Sequence, residues 1–427
     1  MEEHKTWQQT YNLPDPVCLY KWSWTTLYLY QQEASSCHRV EKEKLNINEP
    51  LDFHNTPGAL AARTKMLNGE WPEKGCQHCR KIEEAGGISD RVAANSFARD
   101  HLRFSPPELE LNNREVVFRP TQLEVYFNNI CNQACLYCFP KYSSKVEALY
   151  RQNKIEFWQA MYDPNYVQQG KQNYEKMKQK FWCWMEENAR TLKRYSVLGG
   201  EPFYQDEIFE NIEFFKNHKC PELEVWIFSN FNVDNIRVRK ILEELKFLLD
   251  NKCVKSIALK LSVDSWGPSE EYVRRGSSNI VWKQNFDMLV EEFSQIHINL
   301  LSTLCNLTIK SCKDLALLFT RSGAGRIPGN FHGFSIAGGF PHLDIGIFPR
   351  GFFDEDFDSL IDIYRDFPAQ RDKLISYKKL ANNTPYNPQQ ILKLKQYLDL
   401  VDERRGEMNW KKTFTWLEKF STKDYTE

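Results

Sequence analysis

The sequence predicts an α/β protein in which parallel strands alternate with crossover helices, with a small cysteine-rich α+β unit ahead of them and a helical segment after. Three observations predict it. Short apolar runs at 122–129, 194–198, 223–229, 255–263, 296–303 and 331–336 alternate with helical patterns at 206–217, 235–250, 280–293 and 311–320. Four cysteines, Cys18, Cys37, Cys76 and Cys79, gather before the first of those runs. Beyond Pro349 the chain turns charged and helical in pattern.

Composition sets the outer bounds. At 427 residues the chain can hold two or three domains with substantial cores. It is 41% hydrophobic and 26% charged, as soluble globular proteins are, and its 14% aromatic content favours large buried surfaces over disorder. A formal net charge of −1 gives no global basic field, so nucleic acid is not an expected partner, though a local footprint stays open. No run of 18 apolar residues occurs, which predicts no transmembrane helix, and MEEHKTWQQTYNLPD lacks the layout of a signal peptide. Twelve cysteines without a secretion signal predict a reducing, cytoplasmic compartment where thiols are free or ligate metal.

Residues 1–100 read as the first unit. Trp22–Tyr30 (WSWTTLYLY) is β-branched and aromatic and reads as a strand. Pro57-Gly58 turns the chain into an amphipathic helix at Ala59–Asn68, which delivers it to WPEKGCQHC. Cys18, Cys37, Cys76 and Cys79, spaced C-x18-C-x38-C-x2-C, make a complete set of four thiols, so the site they predict is closed. Spacing alone fits structural zinc and an auxiliary iron–sulfur cluster equally. His38 and His78 adjoin these cysteines and are alternative ligands. Residues 101–119 read as a linker, with a Pro-Pro turn at 106–107.

Residues 120–350 carry the strand–helix rhythm. Leu123, Val125 and Phe127 alternate in a strand that runs into Cys131, Cys135 and Cys138, spaced C-x3-C-x2-C. Three thiolates cannot close a four-coordinate site, so one metal corner is left for another ligand. The gap from Cys138 to Tyr195 is too long for one crossover and predicts a helical insertion at about 140–192, its Trp and Phe residues belonging to the core. YSVLGGEPF sets Gly199 and Gly200 just after the second strand, where glycine lets backbone approach a ligand, and Glu201 offers a carboxylate to an ammonium.

The third strand ends at Ser229-Asn230 and the fourth at LKLSVDSW, where Ser262 and Asp264 share a face because they lie two apart. Asp264 either faces a substrate or caps the following turn. Arg274-Arg275-Gly276 follow, and Thr303 and Asn306 are weaker candidates for the same end of the sheet. Residues 351–427 form the last region. Its helix at 387–404, opening at Asn387-Pro388, is either a packing helix or a clamp on a substrate or partner.

The triad spacing, with an aromatic (Tyr137) before its last cysteine, resembles the signature of the radical S-adenosylmethionine (radical SAM) enzymes, and GGEP at 199–202 matches a motif of that family. The resemblance implies a partial, TIM-like (β/α)6 barrel with its functional residues at the carboxyl ends of the strands. It implies that Cys131, Cys135 and Cys138 hold three irons of a [4Fe-4S] cluster whose fourth iron is chelated by S-adenosylmethionine. An electron from a donor such as flavodoxin or ferredoxin then yields methionine and a 5′-deoxyadenosyl radical, which takes a hydrogen atom from the substrate. Tyr137, Gly199, Gly200, Glu201, Pro202, Ser229, Ser262 and Arg275 are implied around S-adenosylmethionine, with Arg274 as the alternative to Arg275 and Asp264 nearer the substrate. Relatives often have a Thr-Asn-Gly-like turn where this chain has Ser229-Asn230-Phe231, so only a polar contact from Ser229 carries over.

The four-cysteine unit resembles the twitch domain, the short form of the SPASM auxiliary-cluster domain, although the usual twitch domain follows the barrel. That resemblance favours iron–sulfur, of the [4Fe-4S] type, over zinc, and a closed cluster fits an electron relay. The expected function is a radical SAM oxidoreductase or maturase that oxidatively modifies a peptide or protein side chain. Modification of a small molecule or nucleotide is the alternative. A non-catalytic metal-binding scaffold is disfavoured by the intact triad and Glu201.

Overall fold

The structure is a computed structural model that describes residues 14–72, 75–84, 86, 88–100, 119–153, 164–406 and 409–420. The expected Pro-Pro turn at 106–107 lies outside the described residues.

The described residues form eleven strands: β1 (Trp24–Tyr28), β2 (Glu33–Ser35), β3 (Glu43–Lys44), β4 (Gln122–Tyr126), β5 (Ala134–Cys135), β6 (Arg194–Leu198), β7 (Cys220–Ser229), β8 (Val254–Ser262), β9 (Arg274–Arg275), β10 (His297–Leu304) and β11 (Phe331–Ile336). Nine form one sheet in the order β11-β10-β8-β7-β6-β4-β1-β2-β3, while β5 and β9 pair separately. From β4 to β11 all neighbours run parallel, six strands in chain order, the arrangement of an open (β/α)6 sheet. The described sheet does not close on itself.

The crossovers follow the expected pattern: α1 (Glu207–Asn217) joins β6 to β7, α2 (Asn235–Asp250) joins β7 to β8, α3 (Asn279–Glu292) leads to β10 and α4 (Ile309–Arg321) to β11. In α2, Asp234 caps the amino end by accepting from Ile236 N and Arg237 N at 3.0 and 3.3 Å. Its Val238, Ile241, Leu242, Leu245 and Leu248, three and four apart, are buried against the sheet. In β4, Leu123 and Val125 face that helix layer and its core, leaving Glu124 and Tyr126 on the opposite, lumen face. The helix over Pro164–Asn188 buries Met177, Phe181 and Met185 in the same core, so this part of the insertion serves packing.

The amino-terminal unit is stitched into the sheet. β1 pairs in parallel with β4 over five residues, from Trp24 opposite Gln122 to Tyr28 opposite Tyr126. Cys18 therefore precedes the amino end of β1, whereas Cys131 follows the carboxyl end of β4. The two cysteine groups lie towards opposite ends of one strand pair. A second core gathers the carboxy-terminal helices around Leu136, Leu394, Tyr397 and Leu398. The helix Pro388–Arg405 lies against the cysteine loop, with Tyr397 Oη donating to Leu136 O at 2.6 Å and Arg405 to Ala134 O. It braces the loop that follows β4.

Candidate metal and ligand site at the sheet mouth

Where β4 ends, side chains replace the ladder in satisfying the backbone. Asn128 Oδ1 accepts from Ile130 N at 2.8 Å, Ser144 Oγ from Cys131 N at 3.1 Å, and Gln133 O from Ser143 Oγ at 2.8 Å. Leu136 N then donates to Val273 O at 2.9 Å, and Cys135 lies opposite Arg274 in the β5–β9 pair. These bonds turn Cys131, Cys135 and Cys138 towards a cavity of about 380 Å³. Burial and then the neighbouring Cys135 push Cys131 up to about 12, while Cys135 rises to about 11 chiefly by burial. Burial raises Cys138 as well. A bare thiolate is disfavoured here, so ligation would release protons. Among the described residues no three His, Cys, Asp or Glu side chains come within reach of one ion, so the triad rings its cavity without meeting at a point.

Gly199 and Gly200 form the facing wall. Both have positive φ, +93° and +55°, and a Cβ on Gly200 would stand 2.1 Å from Ile130 O. Glu201 N donates to that same carbonyl at 2.8 Å, as does Gln205 Nε2. The glycine turn and the cysteine loop are thus fastened together through Ile130. Pro202 opens the short 3-10 turn after Glu201. Glu201 is buried; its Oε1 accepts from Phe203 N at 2.9 Å and Ser229 Oγ at 2.6 Å, and its Oε2 from Asn230 N at 2.5 Å. Burial outweighs these bonds and holds its carboxyl up at about 7.

Phe231, at the position where the resemblance leads one to expect glycine, takes up the left-handed conformation itself, φ +57°. Ser229 Oγ accepts from Phe231 N at 2.9 Å and Asn285 Nδ2 donates to its carbonyl at 3.0 Å, holding a conformation that costs about 1–3 kcal/mol.

Of the expected residues, Tyr137, Gly199, Gly200, Glu201, Ser229 and Ser262 line the cavity with the triad. Pro202 is buried in the turn that follows Glu201 and does not line the cavity. The structure puts Arg274, not Arg275, on the cavity wall: Arg275 Nη2 donates to Arg405 O at 2.6 Å and its side chain lines a separate groove. Adjacent residues of a strand face opposite ways, so only one of the pair can point inward. Asp264 is fully buried and off the wall. It accepts from Arg274 Nε and Nη2, both at 2.9 Å, from Thr303 N at 2.7 Å and from Tyr137 Oη. Its contacts make it a positioning residue for Arg274 and Tyr137. Asn306 is buried with its amide donating to His342 O and Asp344 O, away from the cavity. Sequence reasoning missed Tyr126, Tyr142 and Asn230 on the wall. The lumen parity of β4 was the signal for Tyr126.

Cys18, Cys37, Cys76 and Cys79 line one small cavity together with Lys21 and Trp71, while His38 and His78 do not. Burial raises Cys18, to about 12, and also Cys37 and Cys76. Lys21 is itself buried, its Nζ 2.8 Å from Ser36 Oγ, and its charge opposes the rise of these three thiols.

Residues 121–271 match the family model of a 4Fe-4S single cluster domain. That 4Fe-4S domain takes in the triad, Gly199–Pro202 and Asp264, and stops short of Arg274 and the four earlier cysteines. No curated protein matches the chain. Among solved structures, one match is SuiB from Streptococcus suis bound to S-adenosylmethionine, 13% identical, covering 84% of this chain and 69% of that one, with a TM-score of 0.35.

Proposed function

We propose that the chain is a radical SAM enzyme, with S-adenosylmethionine and a [4Fe-4S] cluster held in the cavity over β4. The convergence of Cys131, Cys135 and Cys138 with Glu201, Ser229 and Arg274 around one cavity carries this reading. The donor set fits the group: three thiols, buried at Cys131 and Cys135 and half-buried at Cys138, leave one corner of a four-iron cluster uncommitted. The 4Fe-4S domain match, which takes in all of these residues except Arg274, supports it. When bound, the cluster and S-adenosylmethionine supply one-electron cleavage to a 5′-deoxyadenosyl radical that takes a hydrogen atom from the substrate.

The chain's own residues orient and enclose. Glu201, ionised, receives an ammonium through the free side of Oε2. Arg274, fixed by Asp264, presents a cation beside Cys135 for a carboxylate. The glycine turn lets backbone approach, and Phe228, Leu198 and Tyr137 keep the wall apolar and water out. Anaerobic loading with iron and sulfide, then reduction with S-adenosylmethionine, is expected to release 5′-deoxyadenosine. A fully loaded sample that releases none overturns the reading.

The four earlier cysteines are proposed to hold a twitch-type auxiliary [4Fe-4S] cluster, with flavodoxin or ferredoxin as electron donor to the enzyme. Four thiols around one cavity, with a buried lysine as counter-charge, support a closed cluster. Such a cluster would take an electron from the substrate radical, giving net oxidation of a peptide or protein side chain.

A further inference from the structure

We infer that Lys42 and Lys141 form an oxyanion subsite beside the cysteine cavity, where the substrate presents a carboxylate or phosphate. Calling the ligand a substrate rests on the enzyme reading above; the subsite itself rests on geometry. The two cations come from distant parts of the chain, Lys42 just ahead of β3 and Lys141 three residues after Cys138. They converge on Tyr142. Lys42 Nζ lies 4.8 Å from that ring centre and donates to its hydroxyl, and Lys141 Nζ lies 5.0 Å from the same centre. Lys42 Nζ also sits 3.5 Å over the Tyr28 ring, which stacks on Tyr126 at 4.6 Å between centres. Tyr126 and Tyr142 both wall the cysteine cavity. The lysines therefore stand against Tyr142 on the cavity wall, and Lys42 reaches the second wall residue, Tyr126, through Tyr28.

Lys42 is poorly served by its surroundings. Among the described residues no carboxylate pairs with it; Glu33, which acts on it from farther away, is paired with Lys44 at 2.9 Å. Its charge rests instead on two aromatic faces and a phenol, weaker partners for an ammonium than an oxyanion is. Burial, and then the like charge of Lys141, push Lys42 down to about 7. An anion seated between the two ammonium groups would remove that repulsion and add charge-assisted hydrogen bonds from both sides. The strands of the sheet fix Tyr28 and Tyr126, so the site is pre-organised.

Calorimetric titration of the iron-loaded protein with inorganic phosphate and with acetate, each against chloride at equal ionic strength, tests the subsite. At least one of the two is expected to bind tenfold more tightly than chloride. That preference is expected to vanish in the double variant Lys42→Met, Lys141→Met and to persist in Lys42→Arg. Preference for phosphate assigns a phosphorylated substrate, and preference for acetate a carboxylate one. No preference over chloride, or one untouched in the double variant, overturns the subsite. Iron content of the same samples shows that the variants fold, and 5′-deoxyadenosine release from the wild type judges the enzyme reading separately.

Discussion

Arg274 and Asp264 meet in a two-point pair, Nε to Oδ2 and Nη2 to Oδ1, each at 2.9 Å, in a buried position beside Cys135. Removing Asp264 leaves Arg274 only its longer contact with Glu270, at 3.5 Å, and breaking a buried pair in this way costs about 3–5 kcal/mol. Asp264→Asn is therefore expected to lower the unfolding midpoint in urea markedly. Arg274→Ala should also weaken S-adenosylmethionine binding at least tenfold, against less than twofold for Arg275→Ala. Equal losses for the two arginines would show that the cavity wall has been misassigned.

Glu201 gives a pH dependence with a definite sign. Its folded carboxyl titrates near 7, above the ordinary value of about 4.3, and only the ionised form attracts an ammonium. S-adenosylmethionine affinity should therefore rise from pH 5.5 through 7, until Glu201 is fully ionised or the ligand's own amino group begins to lose its proton. Folding moves the other way: the folded state holds this proton longer, so Glu201's contribution to stability falls as pH rises through 7. Calorimetry across that range checks the first trend. Glu201→Gln should bind weakly with no rise, and a wild-type profile retained in it would remove Glu201 from the site.

Gly200 has no room for a side chain. A Cβ would stand 2.1 Å from Ile130 O, at a φ of +55°. Gly200→Ala is expected to push the glycine turn off the cysteine loop, costing about 2 kcal/mol or more in urea unfolding and lowering iron retention at the triad. A soluble variant with unchanged midpoint and full iron would contradict the fastening of the two loops through Ile130.

Tyr397 braces the triad from the carboxy-terminal helix. Tyr397→Phe leaves the buried Leu136 carbonyl without its partner, and about 1–2 kcal/mol of stability should be lost. Faster loss of iron to a chelator is the accompanying expectation, measured by the bleaching of the cluster's visible absorbance.

Two clusters of four irons predict about eight irons per chain. Cys76→Ala with Cys79→Ala should bring the count to about four, and loss of the triad cysteines should do the same from the other side. If the Cys76 and Cys79 variant kept both its iron and its turnover, the auxiliary relay would fail.

The strand rhythm was legible because β-branched and apolar runs with clear turn signals leave little choice: 194–198 and 331–336 are strands to the residue. The triad and the glycine turn were legible because their spacing is chemical. Tertiary pairing was not. WSWTTLYLY reads as a strand, yet nothing local says that it joins β4 rather than a sheet of its own. The choice between Arg274 and Arg275 depends on a two-residue pairing with Cys135, which no periodicity reveals. Asp264 shares the inward parity of Ser262 but lies beneath Arg274 and Tyr137, and depth is not encoded in alternation.

The parallel pairing of β1 with β4 has one more consequence. From the level of Trp24 to that of Tyr28 is four residue steps, about 13 Å of rigid ladder. That ladder is a ruler. It holds a fixed length of sheet between the ends at which the two cysteine-lined cavities lie. A redox partnership across them would have to work by tunnelling through lumen side chains such as Glu124 and Tyr126, at a rate fixed when the chain folds.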